Sequence, residues 1–352
     1  MSTPTHAPVR ELQPTTAISL AHLVHLSDLR GLFEHADHIT PRREHGYCTD
    51  DNSRLLVVTS REDDTGAAHT LSRLALAFVV DAQEPDGLLH NRMNIAGEWT
   101  DGATNDDWWG RSLWALGVAS VDHRDASVRH RARTAFERSA KVRSSWPHAM
   151  AFAALGATQV LIDEPNHRAA RRLLRDALVT IGRPSTGRWQ WPLPRVTYAN
   201  AAIAEAVIGA GAALAEYAIV EQGLSMLSWL LDLQTLDGHI SVVGTTGLAP
   251  GNPWPCDGTP MFDQQPIEVA ALADACWLAY RVTGDERWAT AVLLANAWFD
   301  GANDTGAVMH DSVSGGGYDG LHADRVNLNE GAESTLAFIS TRQRARSLSV
   351  SR

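Results

Sequence analysis

Two kinds of helical segment alternate along this 352-residue chain, and that alternation constrains the fold more than any single motif. One kind is charged and amphipathic, with apolar residues recurring on one face: Thr16–Ala36, Gly66–Gln83, Ala126–Lys141, Asn166–Gly182, Tyr217–Gln234 and Asp285–Asp300. The other kind is nearly uncharged and rich in Ala, Gly and Ser: DDNSRLLVVTS, DDWWGRSLWALGVAS, PHAMAFAALGATQVL, NAAIAEAVIGAGAAL, PIEVAALADACWLAY and GAESTLAFIST. Helices that are apolar all round are buried, and small residues let helix backbones approach closely. No strand alternation of useful length competes with them. Six exposed helices alternating with six buried ones predict an all-α fold, an (α/α)6 barrel with an outer ring around an inner one. A helical solenoid also alternates its helices, but the buried set here is too uniform and the loops too unequal.

Loop lengths orient the barrel. Connections from buried to exposed helices are short, as at Arg61–Thr65, Val121–Asp125 and Asp163–Pro165. Four connections in the other direction are long: Glu84–Asn105, Arg183–Ala199, Thr235–Gln265 and Gly301–Asn329. Long loops on a rigid scaffold carry function, so the working face is the N-terminal end of the buried helices. No linker tract divides the chain, which is expected to form one domain over residues 16–343 with loose tails at Met1–Thr15 and Arg344–Arg352.

Charge and cysteine content narrow the partners. A formal charge of -11 disfavours nucleic acid and anionic membrane surfaces and suits a neutral substrate. No apolar run reaches the ~20 residues of a membrane span, and MSTPTHAPVRELQPTT lacks the pattern of a signal peptide. Three cysteines without a CxxC pair (Cys48, Cys256, Cys276) read as reduced thiols, so a cytoplasmic location is expected.

Polar and indole-bearing residues recur where the buried helices begin. The first start carries Tyr47, Asp50, Asp51, Asn52 and Arg54; the second Asp106, Asp107, Trp108 and Trp109. His148 opens the third, and Trp189, Trp191 and Tyr198 precede the fourth. Trp254, Asp263, Gln264 and Gln265 stand before the fifth, and Tyr318, Asn329, Glu330 and Glu333 surround the sixth. Any single acid here is explained by capping and the helix dipole. Adjacent aspartates together with amides and twelve tryptophans in the chain point further, to a site for neutral sugar. Indoles stack on sugar C–H faces, while carboxylates and amides take hydroxyls.

Glycosidic hydrolysis needs two carboxyl groups, one to protonate the leaving oxygen and one to activate water or attack carbon. The expected pair is Asp50 or Asp51 on the first buried helix and Glu268 on the fifth, where a glutamate in IEVAALADACWLAY is costly unless it faces a cavity or a partner. Which aspartate faces the substrate stays open at this stage. Glu205 in NAAIAEAVIGAG reads instead as a structural core acid. No metal motif, phosphate loop, nucleophile elbow or dinucleotide fingerprint is present, so neither metal nor cofactor is expected.

GYCTDDNSRLL, with HLSDLRGLFEHADHITPRREH upstream and NLNEGAESTLAFI near the end, resembles a family of bacterial (α/α)6-barrel glycosidase-like proteins. Members carry GYC-x-DDNAR early and N-x-GAESTLA late; Ser53 stands here where Ala is frequent. The short build is similar to a mycobacterial branch of endo-acting α-1,4-mannosidases that cut methylmannose polysaccharides. The resemblance implies that Asp50, Asp51, Asn52 and the segment from Glu330 to Ser334 line the cavity. Two rival readings remain: a sugar epimerase or isomerase using His148, His239, His310 and His322 as proton carriers, and a non-catalytic glycan-binding protein. His22, His25, His35 and His38 are expected to be a surface feature of the first helix.

Overall fold

A computed structural model describes residues 18–62, 66–252 and 259–350. The nearly uncharged segments form the inner helices α2 (Thr49–Ser60), α4 (Asp107–Asp122), α6 (Pro147–Asp163), α8 (Ala201–Leu214), α10 (Pro266–Thr283) and α12 (Ala332–Val350). Each packs on the next, and α12 returns to α2, closing a ring. The amphipathic segments form α3 (Gly66–Asp81), α5 (Ala126–Ser139), α7 (Arg168–Ile181), α9 (Tyr217–Leu233) and α11 (Glu286–Phe299), each laid against the inner helix before it. The sixth outer position is taken by the five-residue α1 (Ala21–His25). The architecture is an (α/α)6 barrel.

The start of the chain departs from its helical periodicity. The expected helix Thr16–Ala36 stops after His25 because the Asp28 carboxylate captures the N–H of Arg30 at 2.8 Å, turning the backbone. Gly31 then sits where a Cβ would press on Phe78. His22, placed on the surface by its helical spacing, is buried, with Nε2 2.8 Å from the Glu330 carbonyl oxygen.

The other end departs too. Instead of fraying at Arg344, α12 continues to Val350. Arg344 is buried: its Nε donates to Asp274 and its guanidinium lies 3.9 Å from the centre of the Trp277 ring. Arg61 reaches the same Asp274 carboxylate at 3.1 Å. Two guanidiniums on one buried carboxylate make the last turns of α12 part of the barrel floor. Among the described residues, four two-stranded ladders, each two residues long per strand, decorate the loops, too short to leave a period in the sequence.

The tightest inner contact lies between α4 and α6. A Cβ on Gly117 would overlap the Gly156 carbonyl, and one on Gly156 would overlap the Leu113 carbonyl. Both positions therefore need glycine for close approach rather than for backbone freedom. Helix propensity alone favours Gly156→Ala by roughly 0.5–1 kcal/mol. We expect the opposite: a lowered unfolding midpoint, with a loss of about 1–3 kcal/mol from overpacking. Gly102→Ala, at a position with open space, should stay within about 0.5 kcal/mol of the parent in the same denaturation experiment.

Candidate active site

The N-termini of the inner helices surround a cleft of about 730 Å³, and a smaller cavity of about 40 Å³ lies deeper between the same helices. The cleft is within the size range of a binding site for one small ligand or a short polymer segment, ~300–1,000 Å³. Its floor begins at α2. Cys48 caps that helix, its sulfur accepting the Asp51 N–H, and Thr49 donates its hydroxyl to the His90 carbonyl at 2.7 Å. Asp50 and Asp51 thus occupy the first turn, where the helix dipole favours negative charge.

The two aspartates sit in different electrostatic settings. Asp50 accepts from Arg111 Nη1 at 2.6 Å; burial opposes its charge, yet Arg111 and Arg54 hold its carboxyl below the usual carboxylate range. Asp51 is 2% exposed, accepts from Arg54 at 2.5 Å and from the Cys48 thiol at 3.0 Å, and burial pushes it up to about 6. Arg54 also reaches Glu333 at 2.7 Å, so one buried guanidinium joins α2 to α12. Arg111 joins α2 to α4 in the same way, with Nη2 3.7 Å from Asp107. Its ring-facing side lies 4.7 Å from Phe152.

Of the other expected site residues, Asp106, Asp107 and Trp108 line the cleft at the start of α4. Tyr198 lines it from the loop before α8 and donates its hydroxyl to Asp107 at 2.5 Å. Gln265 and Glu333 complete the set. Glu268 does not face Asp50 openly as expected. It is 4% exposed and lies one helical step below Gln265 and Pro266, which line the cleft. Its carboxylate accepts from the Ala199 N–H and from Asn200 Nδ2 at 2.8 Å, and burial nevertheless pushes it up to about 7.

Several expected ligand contacts are instead framework. Tyr47 is fully buried, stacked on Phe33 with its hydroxyl on Asp28. Asn52 ties the Leu32 backbone to α2. Trp109 and Trp191 are fully buried, and Trp189 packs edge-on against Trp229, because these indoles fill space between helices and loops. His148 is buried beneath the Tyr198 ring, 4.3 Å from its centre. Gln264 is buried against Asp304 and Trp298, and Asp263 pairs with His322 at 2.5 Å. Tyr318 packs on the core. Asn329 holds the His38 N–H, and the buried Glu330 takes the Ser314 hydroxyl at 2.5 Å. Trp254 lies outside the described residues.

Residues that the sequence reading passed over also line the cleft, Glu34, Asn91, Arg92 and Arg111, together with His35 of the first exposed segment and Trp146, which stands with His148 at the start of the third buried segment. Arg111 carried a usable signal, the same one that singled out Glu268: a charge inside a nearly uncharged inner helix. Trp146, 59% exposed at the start of α6, stands on the cleft rim. Glu34, His35 and Arg92 come from loops whose approach no local pattern announces. Glu34, Cys48 and Asp51 are the one trio of metal-donor residues clustered within 4.8 Å among the described residues. Arg92 pairs with Glu34 and Arg54 with Asp51, so guanidiniums already supply the positive charge there.

No family model and no curated protein matches this chain. Solved structures do. The chain is similar to cellobiose 2-epimerase from Bacillus thermoamylovorans B4167, with 12% identity, a TM-score of 0.68, and 94% of this chain and 96% of that one covered. A D-mannose isomerase matches at 13% identity and a TM-score of 0.66, covering 94% and 95%. The GH76 α-mannanase from Bacteroides thetaiotaomicron matches at 9% identity and 0.57, covering 86% and 87%. At these identities the likeness is one of fold, the (α/α)6 barrel.

Proposed function

We propose that the chain is a carbohydrate-active enzyme, a glycoside hydrolase that cuts internal α-1,4-mannosidic bonds of a methylmannose polysaccharide by carboxyl acid/base catalysis. The observation that carries the reading is the cleft itself: Asp50, Asp51, Asp106, Asp107 and Glu333 converge there with Trp108, Trp146 and Tyr198. The methylmannose assignment rests on the resemblance of GYCTDDNSRLL and NLNEGAESTLAFI to that family. Indole faces suit sugar rings and their methoxy groups, and carboxylates suit the free hydroxyls.

Environments that push two carboxyl groups apart in pKa assign the acid and the base. Asp50, held ionised by Arg111, is the base that takes a proton from water. Glu268, raised to about 7, is the acid that protonates the leaving oxygen. The helices that bear them, α2 and α10, stand two places apart in the inner ring, separated by α12. We infer the inverting course, which requires carboxyl groups ~6.5–9.5 Å apart with water between.

The epimerase reading requires histidines in the cleft; His35 lines it, while the four singled out from the sequence are engaged elsewhere. His148 lies under Tyr198, His239 is bound to Asp304, His310 is stacked on Phe338, and His322 is held by Asp263.

Incubation with methylmannose, α-mannan and α-glucan oligosaccharides, with the product anomer read by NMR, tests the reading. Shorter internal fragments of inverted configuration from the mannose series are expected. A retained anomer overturns the inverting mechanism, 2-epimerised sugar restores the epimerase reading, and unchanged chain length despite binding leaves a glycan-binding protein. Asp50→Asn and Glu268→Gln should each lower kcat by roughly 10²–10⁴.

The pH profile provides a second check. The acid must be protonated, so kcat/KM should fall as pH rises through about 7, where Glu268 ionises. The base must be ionised, so the low-pH limb should lie below the ordinary Asp value of ~3.9.

A further inference from the structure

Asp50 and Glu268 sit on different helices, yet a path of polar contacts, joined covalently from Tyr198 to Ala199, connects them. Arg111 Nη1 stands 2.6 Å from Asp50, and Arg111 Nη2 stands 3.7 Å from Asp107. Asp107 Oδ2 accepts the Tyr198 hydroxyl at 2.5 Å. The next residue, Ala199, donates its N–H to Glu268, and Asn200 donates its side-chain amide to the other oxygen at 2.8 Å.

The path is held in place at each link. Arg111 is 5% exposed, packed over Phe152, with an Nε that has no hydrogen-bond partner among the described residues. A guanidinium that is buried and only partly satisfied is costly, which argues that its place is set by the carboxylates it joins. The Tyr198 ring lies on His148, whose Nε2 is 2.8 Å from the Tyr198 carbonyl oxygen. Ala199 has a φ of +43°, a conformation that a non-glycine residue keeps only where its surroundings hold it. Tyr198 holds it from the cleft side and Glu268 from below.

We propose that Arg111, Asp107 and Tyr198 form a positioning bridge that fixes Asp50, in the cleft, relative to Glu268, buried just beneath its wall. The proposal rests on the reading of Asp50 and Glu268 as the reacting carboxyls. None of the three bridge residues exchanges a proton with substrate; they set where the acid and base stand and how each is solvated. Around Asp50 the charged groups are Asp51 and Arg54 on its own helix, Arg92 from the neighbouring hairpin, and Asp107 and Arg111 from α4. Glu333 of α12 is the charged group acting on Glu268.

Tyr198→Phe removes one hydrogen bond to a carboxylate at a half-exposed position and is the decisive variant. With the loop released, kcat should fall roughly 10- to 100-fold while KM changes by less than about threefold. The high-pH limb should move upward, because Glu268 loses N–H donors that favour its ionised form. Arg111→Met should move the low-pH limb upward, and Arg111→Lys should return most of that shift by restoring the cation. If Arg111→Met does not fold, Tyr198→Phe decides alone. An unchanged kcat and profile in Tyr198→Phe, or a loss of kcat with neither limb displaced, overturns the bridge. Titration of Glu268 by carboxyl carbon-13 NMR, without substrate, separates the two proposals. A raised Glu268 titration in Tyr198→Phe alongside an inactive parent keeps the bridge and discards the hydrolase reading; an unmoved titration discards the bridge.

Discussion

Backbone lies directly on backbone where Gly117 of α4 meets Gly156 of α6, and much of the site follows from that contact. Two helices that touch without side chains between them cannot rotate or slide without a clash, since interiors are close-packed. The contact therefore fixes how far the start of α4 stands from the start of α6. The first carries Asp107, Trp108 and Arg111, and the second carries Trp146 and His148. Gly110, whose missing Cβ leaves room for the Ala149 carbonyl, repeats the contact two turns closer to the cleft. One side of the ring is thus drawn tight and the cleft wall there is rigid. Side chains fixed on such a wall need little reordering when a ligand arrives.

On that frame, electrostatics divides the floor into two similar units. Arg54 stands between Asp51 and Glu333, and Arg111 stands between Asp50 and Asp107. Each guanidinium is buried and links two inner helices, so each serves the ring as well as the site. The planar fork of arginine suits this, where a lysine would meet one carboxylate at a time. The units differ in outcome. Asp50 keeps its charge because two guanidiniums act on it. Asp51, more deeply enclosed and feeling Glu333 as well, is raised.

The ring was legible in the sequence because burial on all sides leaves a compositional mark: helices with Ala, Gly and almost no charge. The ends were not legible. Thr16–Ala36 has a helical period, but a period cannot register that Asp28 takes the Arg30 N–H and turns the chain. Arg344 reads as part of a basic tail until Asp274, seventy residues earlier, draws it into the floor. For the site, residues in the first turns of the inner helices could be found, since the fold delivers all those turns to one face. Asp50, Asp107 and Glu333 are examples. Tryptophans were misread, because an indole flanked by polar residues in sequence can still fill a gap in three dimensions, as Trp109 and Trp191 do. Glu34 and Arg92 reach the cleft from loops placed by long-range pairing, and no window of sequence contains that information.

The charge balance of the floor carries one more consequence. Glu34, Asp50, Asp51, Asp107 and Glu333 meet Arg54, Arg92 and Arg111, so three guanidiniums meet five carboxyls and the inner floor is net negative when all are ionised. A polyanion entering such a cleft meets repulsion in a medium of reduced dielectric, where the cost is several times that in water. A cation fares better at long range but finds each carboxylate already committed to a guanidinium. A neutral ligand with many hydroxyls meets neither barrier. Hydroxyl groups donate to carboxylate oxygens that arginine has left free, and they need no counterion. The overall charge of -11 works in the same direction at longer distance. The way the floor is neutralised therefore favours the uncharged, hydroxyl-rich ligand proposed above, apart from any stacking on the indole at the rim.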